Sequence, residues 1–70
     1  MRENLRAARK AKGMTQQAMA DELGVHERYY KALESGERLG SIEIWDRLED
    51  MFGVNQRVLR EVLSQGNERK

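Results

Sequence analysis

The chain has 70 residues, no cysteine and no proline, and its 13 basic and 12 acidic side chains leave a formal net charge of +1. That length supports one domain with one modest core, and the missing cysteines exclude both a disulfide framework and a thiolate metal site. No stretch approaches the roughly 20 apolar residues that span a bilayer, and Met1-Arg2-Glu3-Asn4 is not followed by the apolar run of a secretion signal. A cytoplasmic location with no membrane partner is the expectation.

In chain order, the spacing predicts five helices, near residues 2–12, 16–23, 27–35, 41–52 and 55–65. Gly13, Gly24, Gly36, Gly53 and Gly66 each follow a run with helical spacing, as befits a C-terminal stop, whereas Gly40 falls in a loop. Thr15, Ser41 and Asn55 supply side-chain acceptors at three starts, and His26 is a poorer cap before the third helix. The first helix is basic, with Arg2, Arg6, Arg9, Lys10 and Lys12 against Glu3. Apolar residues then recur every three or four positions: Leu5 and Ala8; Met19, Ala20 and Leu23; Tyr30 and Leu33; Ile42, Trp45, Leu48 and Phe52. Met14, Met19 and Met51 read as core filler. The fifth helix has two apolar rows, Val58 with Val62 and Leu59 with Leu63, where one would dock it, so the other is either buried by the rest of the chain or left for another molecule.

Residues 15–36 are the most informative. Two predicted helices of about eight residues are joined by Leu23-Gly24-Val25-His26, a connection short enough to force a steep crossing. Ala20 lies where the two approach most closely, and Gly24 provides the reversal. The second of these helices then projects far enough to enter a groove about 12 Å wide.

With these pieces in register, the sequence resembles the phage-repressor helix-turn-helix family, the Cro and cI type also called XRE. The resemblance rests on Leu5, Arg9, Lys12-Gly13-Met14-Thr15-Gln16, Met19-Ala20, Leu23-Gly24-Val25, Leu33-Glu34-Ser35-Gly36, Ser41-Ile42 and Leu48 through Val54. His26, Tyr30 and Gly40 depart from the family pattern, which more often has a small hydroxyl, a branched aliphatic and a proline there. The resemblance implies an all-α, five-helix, lambda-repressor-like domain over residues 1–70, binding double-stranded DNA without a cofactor. It also implies a partly buried ion pair between Arg9 and Glu34.

A core face fixed by Tyr30 and Leu33 turns Arg28, Lys31, Ala32 and Ser35 outward, with Glu27 at the leading edge. By resemblance Glu27, Arg28 and Ala32 reach base edges, and the outward Lys31 is a fourth candidate base contact; Arg28 suits guanine O6 and N7, Glu27 a cytosine amino group, and the Ala32 methyl thymine. A plainer reading makes Glu27 and Lys31 a surface ion pair. Gln16 opens the second helix, where free amides and the dipole favour a phosphate, and Gln17, Tyr29, Ser35 and Arg38 are further backbone candidates.

A lone histidine without cysteine makes neither a nucleophile pair nor a zinc site, so no enzyme activity and no metal are expected. The expected activity is transcriptional regulation, as a repressor, by a homodimer on an inverted repeat, with Ile44, Met51, Val58 and Val62 as the dimer surface. The alternative is an antitoxin or partner-dependent corepressor whose last helix holds another protein.

Overall fold

The computed structural model describes residues 1–62 and is all-helical over them. Its helices are α1 (Glu3–Ala11), α2 (Gln16–Leu23), α3 (Glu27–Ser35), α4 (Ile42–Phe52) and α5 (Gln56–Arg60). The three hydroxyl and amide caps are in place: Thr15 Oγ1 accepts from Ala18 N at 3.0 Å, Ser41 Oγ from Ile44 N at 3.2 Å, and Asn55 Oδ1 from Arg57 N at 2.8 Å. Each satisfies an amide the first helical turn leaves free. His26 makes no side-chain cap bond. Gly24 ends α2 at φ +72°, the left-handed conformation that lets the chain reverse into α3.

The four longer helices fall within a residue or so of the predicted spans, but α5 is shorter. It stops at Arg60 because side chains of the chain's beginning take its last carbonyls: Asn4 Nδ2 donates to Val58 O at 3.2 Å and Arg2 Nε to Arg60 O at 2.9 Å. From Glu61 the backbone turns to ψ 130°. The expected continuation to residue 65, with Leu63, lies outside the described residues.

Leu5, Met19, Tyr30, Leu33, Trp45, Leu48 and Leu59 form the centre of the core, each essentially without solvent contact. Met14, Met51, Val25 and Phe52 pack around it. The Trp45 indole N–H, which would otherwise lose a partner on burial, donates to Leu39 O at 2.7 Å. Gly40, at φ +78°, makes room for that ring, since a Cβ there would lie 2.8 Å from Trp45 Nε1 and 2.9 Å from Leu33 Cδ2.

Arginine side chains close the carboxyl ends of three helices, where the dipole favours positive charge. Arg47 donates to Leu23 O and Glu22 O at the end of α2, at 3.1 and 2.7 Å. Arg2 spans the ends of α3 and α5: besides Arg60 O, its Nη1 donates to Leu33 O at 2.6 Å and Arg38 O at 2.9 Å, and its guanidinium lies 5.2 Å from the Trp45 ring centre. Burial, and then the neighbouring Arg60 charge, lower its pKa from the ordinary guanidinium value.

Candidate nucleic-acid interface

The outer surface of α3 and its surroundings form an open cleft between the α2–α3 turn and the segment after α3. Its walls include Gln17 from α2, His26, Arg28, Tyr29 and Ala32 around α3, and Arg38 beyond it. The cleft also contains Glu27, Asp21 and Glu37. It therefore brings together three of the four expected base contacts, Glu27, Arg28 and Ala32, with Gln17, Tyr29 and Arg38 among the expected backbone contacts. Lys31, Ser35 and Gln16 are not part of its lining.

Arg28 is exposed and has no hydrogen bond or ion pair within the described residues. Its guanidinium keeps all five donors for an external acceptor. Tyr29 is half-buried, and the Arg38 guanidinium sits 5.8 Å from its ring centre, so this arginine is steered along the cleft wall. Gln17 Nε2 donates to Asp21 Oδ1 at 2.9 Å, which holds the two side chains together one turn apart on α2. Ser35 Oγ is turned back onto its own helix, donating to Ala32 O at 3.1 Å. Glu27 and Lys31 form the surface pair of the plainer reading, at 3.6 Å with both side chains more than a third exposed. Such a pair is worth only a few tenths of a kcal/mol, so either residue is readily released to another partner.

Behind the cleft, Glu34 connects three helices. Arg9 Nε donates to Glu34 Oε2 at 2.6 Å and Arg9 Nη1 to Met14 O at 2.8 Å, while Gln16 Nε2 donates to Glu34 Oε1 at 3.2 Å. This makes Arg9 and Glu34 a buried ion pair and positions Gln16 at the first turn of α2. The hydrogen bond to Glu34 raises the Arg9 pKa, opposed by desolvation. The Tyr30 hydroxyl is buried beside this group without a hydrogen-bond partner of good geometry. Burial, and secondarily the Glu34 carboxylate, push its ionisation far above the ordinary phenol range.

Residues 5–55 match the family model described as helix-turn-helix. The chain belongs to the Cro/cI-type (XRE) helix-turn-helix family. It is a DNA-binding transcription regulator of that type. No curated protein and no solved structure matches it.

In this helix-turn-helix protein the residues expected at a dimer surface divide. Ile44 is only 9% exposed and belongs to the core, because it lies on the inward side of α4. Met51 packs half-buried against that core. Val58 and Val62 remain 43% and 47% exposed. Sequence reasoning passed over His26, Asp21 and Glu37 as cleft residues: a histidine read as a cap and two isolated acids carry no signal until the turn and the segment after α3 are folded beside α3. Arg2 was read only as part of a basic helix face, although it is 3% exposed. Among the described residues no helix is long and apolar enough to cross a membrane, and no group of three His, Cys, Asp or Glu is placed to hold a metal ion.

Proposed function

We propose that the domain is a sequence-specific repressor that reads an inverted repeat as a homodimer in the cytoplasm, with α3 in the major groove. The observation that carries this reading is Arg28: exposed, unpaired, and set on the first turn of α3 in a cleft that also holds Gln17, Tyr29 and Arg38. A guanidinium so placed suits the O6 and N7 acceptors of guanine, while Glu27 and Ala32 select beside it and Lys31 lies one turn along. Gln16, Gln17, Tyr29, Ser35 and Arg38 serve the phosphate backbone, fixing orientation without carrying sequence.

Three acids in the cleft, Asp21, Glu27 and Glu37, oppose indiscriminate phosphate binding and favour a site recognised by its bases. The test is selection of bound duplexes from a random pool at about 150 mM salt, where purely electrostatic binding fades. Enrichment of an inverted repeat with half-sites about 34 Å apart supports the reading. No enrichment by the protein alone overturns it and favours the antitoxin or partner-dependent corepressor, for which exposed Val58 and Val62 leave apolar surface to hold another protein.

A further inference from the structure

Arg38 belongs to the candidate interface but to no helix. It follows α3 in irregular backbone, is exposed, and lines the cleft. A side chain on such a segment contributes to binding only as far as the segment is already held, because ordering it on contact costs free energy. Apolar burial does little here. Leu39, next along, is 81% exposed, and with Ile42, 75% exposed, and Val62 it lines a second depression that shares no residue with the cleft.

Three contacts hold Arg38 instead. Its N–H donates to Ala32 O at 3.2 Å, its guanidinium lies 5.8 Å from the Tyr29 ring centre, and its carbonyl accepts from Arg2 Nη1 at 2.9 Å. The first two come from α3 and the third from the beginning of the chain. The same Nη1 donates to Leu33 O at 2.6 Å, so one nitrogen bridges the last turn of α3 and Arg38. Arg2 is itself fixed, by its N–H to Glu34 O at 2.7 Å, by its Nε to Arg60 O at 2.9 Å and by the Trp45 ring 5.2 Å away. A rigid guanidinium fork suits carbonyls on several elements at once, as an ammonium on a flexible stem does not. At 3% exposure, Arg2 is itself no phosphate contact.

We propose that Arg2 is a positioning residue for DNA binding, holding Arg38 against α3 where it meets a backbone phosphate. The proposal rests on the reading of Arg38 as a backbone contact given above.

The test uses the 70-residue chain and a mixed-sequence duplex of about 20 base pairs, titrated between about 50 and 200 mM salt. Arg38→Ala lowers the slope of log affinity against log salt by about one, the mark of one lost phosphate contact. Arg2→Ala is expected to lower it by the same amount although its side chain is buried, and the double variant by no more than either alone. Asn4→Ala loses the bonds to Val58 O and Glu61 Oε1 but none to α3 or Arg38, and keeps wild-type affinity and slope. Without DNA, amide hydrogen exchange at Arg38 quickens about tenfold or more in Arg2→Ala relative to that at Gly53, whose N–H donates to Glu49 O. Where circular dichroism melts show that Arg2→Ala does not fold, Arg2→Lys, which keeps the charge and loses the fork, is expected to give the same results.

Additive losses in Arg2→Ala and Arg38→Ala overturn the proposal, because the two side chains then act separately. So does a wild-type slope or unchanged Arg38 exchange in a folded Arg2 variant. Asn4→Ala with the same defect overturns it as well, since docking of α5 would then be the cause. An Arg38→Ala variant with wild-type affinity and slope, alongside quickened Arg38 exchange in the Arg2 variant, refutes the phosphate reading of Arg38 and supports the hold of Arg2 on its backbone.

Discussion

A buried charge is tolerated only when it is answered, and Glu34 is answered twice, by Arg9 and by Gln16. Arg9→Ala leaves the carboxylate buried against a neutral amide alone and is expected to cost about 3–5 kcal/mol in urea unfolding. Tyr30 offers the opposite case, a buried hydroxyl with no partner. Tyr30→Phe is expected to leave stability at neutral pH unchanged or raised by about 1 kcal/mol, because the only polar group removed is an unsatisfied one. The alkaline limb has a definite sign. The folded-state pKa of Tyr30 is raised above its unfolded value, so its contribution is intact below about pH 10 and is lost as pH rises beyond that. Urea melts of the wild type should weaken over this range more than those of Tyr30→Phe; parallel curves would refute the claim. The Arg9–Glu34 pair was legible only through the family pattern, and Arg2 was not legible at all. Its acceptors are backbone carbonyls at positions 33, 38 and 60, and any residue presents a carbonyl.

Helix boundaries were legible wherever a local device sets them, as at Thr15, Ser41 and Gly24, since a cap or a left-handed stop is written in the residue itself. The end of α5 is set instead by Arg2 and Asn4 from the opposite end of the chain, and apolar periodicity ran past it. Two glycines separate local from tertiary constraint. Gly24→Ala meets nothing within 4 Å and carries only the left-handed strain, expected to cost about 1 kcal/mol. Gly40→Ala adds a collision with Trp45 and Leu33 to the same strain. It should lower the melting temperature several-fold further than Gly24→Ala and shift Trp45 fluorescence, because the indole loses its fit beneath Leu39; equal shifts for the two variants would contradict this packing.

For the molecule as a whole, the fold class was legible because helical period and turn length point the same way, and the outward turn of Arg28, Lys31 and Ser35 follows from that same period. The exposed apolar surface was not, since Leu39 belongs to a loop and meets Ile42 and Val62 only after α4 and α5 pack. On a selected operator, Arg28→Ala is expected to cost about 1–3 kcal/mol of affinity per half-site and to relax discrimination at one base pair. Arg38→Ala should weaken binding to all sequences alike and flatten the salt dependence, the mark of a phosphate contact. Binding isotherms on matched and mismatched duplexes at several salt concentrations separate the two behaviours. The Arg2 staple carries a consequence for the order of events in the cell. It joins residues 31 to 58 positions apart, and both its guanidinium and its partner at Arg60 fall outside residues 5–55, the part of the chain that matches the family model. As the chain is made, the Arg2 Nε–Arg60 O bond has to wait for its sixtieth residue, so the contact that ties the beginning of the chain to α5 is expected to close after the Arg9–Glu34 pair can form.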